Sequence, residues 1–218
     1  SMERYRRARH SALQMAAATM YTDFFVDRKV ALLLAPGFGE AESIISLDIL
    51  SRLGIRVTTV ACQPYREVTS YHQLKVVADE LLEENRERLF DAVIVPGGPD
   101  GSKNLSANAA VIDFIRRHDE AGRLVCPICS AAARVLAPHA LLKGRRYVSS
   151  GTSSEGVTDG VYVNASVVKD GNLLSGQDLG AAFDFAFAIA VTLTGEGDKA
   201  TEQAEHISHK LKVDFAKL

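Results

Sequence analysis

Lys29-Val-Ala-Leu-Leu-Leu-Ala-Pro-Gly-Phe-Gly-Glu-Ala-Glu42, continuing as Ser-Ile-Ile-Ser-Leu-Asp-Ile-Leu-Ser-Arg-Leu-Gly54, carries the plan of the fold. Lys29 to Ala35 is an unbroken apolar run closed by Pro36-Gly37, the pattern of a strand buried on both faces. From Glu40, apolar residues at Ile44, Ile45, Leu47, Ile49, Leu50 and Leu53 form a helical stripe that stops at Gly54. A strand that needs cover on both faces, followed at once by an amphipathic helix, predicts an α/β protein with a mostly parallel sheet between two helical layers.

Outward from this unit the alternation repeats. Ile55 to Ala61 is β-branched and strand-like, His72 to Ala78 reads as a strand, and Leu81 to Arg88 as a short helix. Asp91-Ala-Val-Ile-Val95 is another buried strand, ended by Pro96-Gly-Gly-Pro-Asp-Gly101. Asn108 to Ala121 is an amphipathic helix, Leu124 to Ile128 a strand, Cys129 to Leu136 a helix and Tyr147 to Ser149 a short strand. Asp170-Gly171, between Val161–Val168 and Asn172–Leu174, is a hairpin turn signal and predicts an antiparallel C-terminal hairpin. Leu179 to Thr194 and Asp198 to Leu211 complete the chain as helices.

The chain has 218 residues, 47% of them apolar, and a net charge of −2. That length suits one domain, which buries about 70% of its extended surface and needs no disulfide or metal staple. The near-neutral balance excludes an electrostatic case for nucleic acid or anionic membranes. Leu179 to Leu193 is the most apolar stretch, but it is too short to span a bilayer and contains Asp184. Residues 1–28 form an Arg-rich extension, with five Arg against three acids, and residues 29–218 the domain proper. Ser1 ahead of Met2 reads as a cloning remnant. Arg4, Arg6, Arg7 and Arg9 give the extension the composition of an organellar transit peptide. The alternative is a basic surface helix, or an extended start before a native Met at Met15 or Met20. Three Cys suit a reducing compartment, so the expectation is cytoplasmic, with mitochondrial targeting by the extension as the alternative.

In an open α/β sheet, ligands bind beyond the carboxyl ends of the strands. Cys129 closes the strand Leu124–Ile128 and is followed by Ser130-Ala131-Ala132, small residues that open a helix. This is the thiol form of a nucleophile elbow. The helix terminus and the N–H groups of that turn and of Gly97-Gly98 are expected to depress the thiol pKa. Cys62 lies within a strand and reads as core. Cys126 forms Cys-x-x-Cys with Cys129 and is a redox-partner candidate, although its place inside the strand turns it away from the elbow. No Cys/His spacing suits a metal, and no cofactor is implied. Glu40 and Glu42 open the first helix; two apart, they do not share a face, and only one can reach the strand ends. The residues alone leave that choice open.

In order, Gly-Phe-Gly-Glu-Ala-Glu42, Val95-Pro-Gly-Gly98, Ile128-Cys129-Ser130-Ala131, Val168-Lys-Asp-Gly-Asn-Leu-Leu174 and Phe183-Asp-Phe-Ala186 resemble the DJ-1/ThiJ/PfpI superfamily, its DJ-1-like branch in particular. The resemblance runs from Lys29 to about Gly195 and implies a flavodoxin-like sandwich, usually a homodimer. It places Cys129 on the oxidisable elbow cysteine, Glu42 on the protonated glutamate, and Gly98 and Ser130 on the backbone donors around the sulfur. Gly97, Gly151, Gln177, Asp178 and His72 follow as pocket candidates, His72 by approach from the partner subunit. The chain also departs from the pattern. Gly151 stands where a His is common, Ser130 where the protease-like branch has its His, and Gly176-Gln177-Asp178-Leu179-Gly180 replaces Ser-Arg-Gly-Pro-Gly. His118 and His139 read as ordinary surface residues.

The implied partners are a small aldehyde or peroxide. The leading expectation is a redox-responsive protein oxidised at Cys129, with glyoxalase or deglycase activity on α-oxoaldehydes such as methylglyoxal from the same residues. A non-catalytic dimeric chaperone or interaction protein is the alternative. A peptidase or amidase fares worst, because no His is available to orient on the thiol.

Overall fold

The computed structural model describes residues 2–3 and 26–218. The Arg-rich stretch read as a targeting segment lies mostly outside the described residues. Strands β1 (Lys29–Leu34), β2 (Arg56–Ala61), β5 (Glu80–Leu81), β6 (Ala92–Val95), β7 (Leu124–Pro127), β10 (Val167–Asp170) and β11 (Leu173–Gly176) build one sheet in the order β10-β11-β7-β6-β1-β2-β5. Every pairing is parallel except β10 with β11, which form the expected hairpin across Gly171-Asn172. Gly171 has φ +59°, a conformation its missing Cβ makes cheap.

β1 pairs with β2 on one side (Leu32↔Thr59) and β6 on the other (Leu32↔Ile94), so the chain reverses its direction of travel across the sheet at β1. Helices α1 (Glu40–Arg52), α4 (Ala182–Thr194) and α5 (Gly197–His206) cover one face. Helices α2 (Pro99–Ala107) and α3 (Ala109–Glu120), with a π-helical turn over Ala132–Leu136, cover the other. α4 is apolar all round because both its sides are packed; Phe185, Phe187 and Ile189 are fully buried. Among the described residues no helix is long and apolar enough to cross a membrane.

Several elements differ from expectation. α2 begins at Pro99, inside what reads as a loop; Pro at the first helical position forfeits only an N–H that has no intrahelical acceptor. Within His72–Ala78 only Lys75–Val77 is strand: it is β4, paired with β3 (Glu67–Thr69) in a hairpin outside the main sheet. β8 (Arg146–Tyr147) and β9 (Val161–Tyr162) form a second such pair. His118 is no surface residue. Wholly buried between Phe90 and Phe114, it accepts the Phe90 N–H at Nε2 (2.9 Å) and donates from Nδ1 to the Phe114 carbonyl (2.7 Å). Burial pushes its pKa down to about 4, so it stays neutral and structural. His139 is half-buried against Ser106.

Candidate active site

The carboxyl ends of β1, β6 and β7, three adjacent strands in the middle of the sheet, converge on one cavity of about 520 Å³. β7 delivers Cys129, which has φ +62°, a left-handed backbone rare for any residue with a Cβ. That strain, of order 1–2 kcal/mol, persists only where surrounding contacts hold it. Here the Cys129 N–H donates to the Gly176 carbonyl (3.1 Å). The Cys129 carbonyl in turn accepts both the Ser150 N–H (2.9 Å) and the Ser149 hydroxyl (3.0 Å). Ser149 Oγ is tied to Ser153 Oγ at 2.7 Å, so the segment after β8 braces the elbow. The thiol donates to Ser150 Oγ at 3.4 Å.

The helix after β1 delivers Glu42. Its side chain is buried beside the Cys129 thiol, with Oε1 accepting the Gly97 N–H at 2.5 Å. Gly97 is squeezed between the two: a Cβ there would stand 3.0 Å from Glu42 Oε1 and 3.2 Å from Cys129 Sγ. Gly98, at φ +96°, packs on the backbone of Gly37 and Gly39 and lines the cavity, as does Ser130, whose N–H faces the sulfur. The choice between the two acids is therefore resolved by position. Glu40, on the neighbouring face, turns to the rim and accepts from His72 Nδ1 (2.7 Å) and His72 N–H (3.1 Å).

Burial raises the Glu42 carboxyl to about 7, against the hydrogen bonds from Gly97 and Cys129, with Asp178 and Glu40 adding smaller repulsions. The thiol does not follow the depressed pKa expected of an elbow. Burial pushes Cys129 up, the Glu42 carboxylate adds to it, and the Ser150 hydroxyl and Ser130 N–H only partly oppose this. The segment that follows the sulfur is five residues of π-helix rather than a long α-helix. The ionised forms of thiol and carboxyl therefore disfavour one another.

The remaining candidates separate. His72, exposed, lines the cavity of its own chain. Gly151, at φ +50°, also lines it, with open space where a Cβ would stand. Asp178 acts on Glu42 and Cys129 through its charge, but it is Leu179 that lines the cavity. Gln177 is displaced: its side-chain amide donates to Asn164 Oδ1 (3.4 Å), away from the cavity lining. Cys126 is also displaced. Strand alternation buries it completely among Val30, Leu32 and Ile94, and all three Cys are free thiols. Cys62 is buried and pushed up to about 12. Ser150 and Arg134 line the cavity unforeseen by sequence reading. Ser150 could be found only by folding the segment after β8 back over the elbow; Arg134 was in reach, four residues after Ser130 on one helical face. Among the described residues no cluster of His, Cys, Asp and Glu could hold a metal.

The sequence profile of the DJ-1/PfpI family matches residues 28–192. The chain belongs to the DJ-1/PfpI family. It is 34% identical over 182 residues to protein dj-1beta of Drosophila melanogaster, covering 83% of this chain and 96% of that one. It is 30% identical over 172 residues to the glutathione-independent glyoxalase DJR-1.2 of Caenorhabditis elegans, covering 77% of this chain and 90% of that protein. Among solved structures, a cysteine-to-alanine mutant of a DJ-1 superfamily protein from Salmonella typhimurium superposes with a TM-score of 0.83 at 59% identity, over 84% of this chain and 99% of that one. The mostly parallel sheet with helices on both faces is the flavodoxin-like fold of this family.

Proposed function

We propose that the protein is a cofactor-independent glyoxalase-type enzyme acting on α-oxoaldehydes. The observation that carries this reading is the buried Glu42 carboxyl set against the Cys129 thiol across Gly97, where burial raises its pKa to about 7. A general base is most effective when its pKa lies near the working pH, and it spares the thiol from having to be ionised beforehand. Cys129 adds to the aldehyde carbon while its proton passes to Glu42, and the hemithioacetal oxygen is received by N–H groups of the Gly98 and Ser130 turns. Glu42 returns that proton to the hemithioacetal oxygen. Ionised again, it moves the C1 proton to C2 through an enediol while the hydroxyl proton passes from the C1 to the C2 oxygen, leaving an α-hydroxy thioester on Cys129. Water hydrolyses that ester to a hydroxy acid and the free thiol. The internal redox change needs no external oxidant, and methylglyoxal plus water balances lactate. A 30% identical relative bears the name of a glutathione-independent glyoxalase, which supports the reading.

A second reading is a redox response. Ser150 Oγ, the Ser130 N–H and a protonated Glu42 surround the sulfur with donors suited to the oxygens of a sulfinate. The raised thiol pKa slows that reaction at neutral pH. A peptidase is disfavoured: His72 pairs with Glu40, His139 with Ser106 and His209 with Asp184, and His118 is buried. The reading includes a homodimer, supported by the exposed apolar side chains of Ile44 and Val77 on one groove and testable by analytical ultracentrifugation.

The deciding experiment follows lactate from methylglyoxal and, in parallel, the mass of the Cys129 peptide after mild peroxide. Turnover abolished in both Cys129→Ala and Glu42→Gln is the expected result. No lactate together with addition of two oxygens at Cys129 would instead establish the redox reading. Neither change would leave the non-catalytic interaction role.

A further inference from the structure

We propose that Arg134 is an anion anchor that selects α-oxoaldehydes carrying a carboxylate several bonds from the reacting carbonyl; this rests on the glyoxalase reading above. Arg134 lies on the π-helical turn after the elbow, its N–H donating to the Ser130 carbonyl at 2.9 Å. Ser130 and Arg134, four apart, fall on the face that lines the Cys129 cavity, whereas Ala131, Ala132, Val135 and Leu136 face the core.

The guanidinium is exposed, and among the described residues no carboxylate or carbonyl engages it. Its own helix offers nothing: the residues four before and four after it are Ser130 and Pro138. By contrast, other arginines are occupied: Arg145 by Asp119, Arg88 by Glu80 and Arg123 by Asp91. The acids nearest the cavity are also committed, Glu40 to His72 and Asp178 to the Gly180 N–H (3.0 Å). A cation left unpaired on the wall of a reactive-thiol cavity is a site for the opposite charge, and guanidinium favours a planar carboxylate.

Its position sets the length of the ligand. Arg134 follows Cys129 by five positions, with the left-handed elbow residue, the Ser130 turn and half of the π-helical turn between them, so it stands on the cavity wall set back from the sulfur. A carboxylate directly on the carbonyl would fall short of it. One carried on a two-carbon spacer, as in 4,5-dioxopentanoate, extends toward it, and the product would be 2-hydroxyglutarate.

The test has two arms. In the first, kcat/KM for 4,5-dioxopentanoate is divided by that for the uncharged methylglyoxal, in the wild type and in Arg134→Gln. The ratio is expected to fall about ten-fold in the variant, the scale of one charge-assisted hydrogen bond. In the second, the rate of Cys129 alkylation by 3-maleimidopropionate is divided by that with N-ethylmaleimide, followed by intact mass. This ratio, which needs no turnover, is expected to exceed that of a free thiol in the wild type and to drop several-fold in Arg134→Gln. Arg134→Lys, which keeps the charge, should retain part of it. If neither aldehyde is turned over, the glyoxalase reading fails and the alkylation ratio still decides the anchor. Ratios that Arg134→Gln does not move overturn the proposal.

Discussion

Replacing Glu42 by Gln is expected to change how stability depends on pH. Burial moves this carboxyl from its ordinary 4.5 to about 7, so its protonated form is favoured in the folded chain. At 1.36 kcal/mol per decade of proton affinity the difference is about 3 kcal/mol. A folded state that binds the proton more tightly is favoured at low pH and loses that advantage as pH rises from about 4.5 to about 7. Above that window the ionised Glu42 costs the fold about 3 kcal/mol. Gln has the same shape, can accept the Gly97 N–H in place of Oε1, and carries no charge. Urea unfolding of wild type and Glu42→Gln at pH 4 and pH 8 isolates the effect, since titrations not coupled to Glu42 cancel in the difference. The variant should match the wild type at pH 4 and exceed it by about 3 kcal/mol at pH 8, a melting shift of roughly 6–12 °C for a chain of this size. Parallel stability curves would refute the raised pKa, and with it the general-base role of Glu42.

Other outcomes follow from the same geometry. Gly98→Ala places a Cβ 2.5 Å from the Gly37 carbonyl oxygen at φ +96°, and should cost more than about 3 kcal/mol of unfolding free energy. A loss under about 1 kcal/mol would show that the turn can relax. Iodoacetamide on the native protein should modify Cys129 alone, with Cys62 and Cys126 reacting only after denaturation; peptide masses read the outcome, and labelling of Cys126 at a similar rate would contradict its burial. Asp184→Asn weakens the contact to His209 Nε2 (2.8 Å) that fastens the C-terminal segment to α4, while the Lys212 N–H can still be accepted. Amide exchange over residues 207–218 should quicken by about ten-fold or more, the factor for losing roughly 1.4 kcal/mol of local stability. An unaltered pattern would remove this contact as the fastening.

The buried strands were legible because their chemistry is one-dimensional. β1, β6 and β7 are apolar on every residue past their first, and nothing but a sheet covered on both sides accommodates them. β3, β4 and β5 escape that logic, being two or three residues long with partly exposed polar positions. β5 pairs with a strand about twenty residues earlier, as Val60↔Glu80 shows, while β3 and β4 pair only with each other, outside the main sheet. At the site, the elbow is written locally in Cys129-Ser130-Ala131. The direction of the thiol pKa is not, because it depends on how deeply Glu42, brought from 87 positions earlier, is buried beside it. Glu40 and Glu42 look alike as letters, and only the rotation of α1 sends one to the sulfur and the other to His72.

The placement of the reacting groups on the three innermost strands divides the site by timescale. β1, β6 and β7 each have a hydrogen-bonded neighbour on both sides, so their amides exchange only through something near global unfolding. The rim, with Tyr71 and His72 on the β3–β4 turn and Thr152 and Ser153 after β8, belongs to segments that the main sheet does not hold. Sulfur, carboxyl and backbone donors therefore rest on the sheet, while the rim rests on short hairpins and on the Ser149–Ser153 brace. In a protein so arranged, changes at Tyr71 or His72 alter which molecules arrive and how fast they leave, whereas changes at Ser149 or Ser153 reach the elbow that makes the bond.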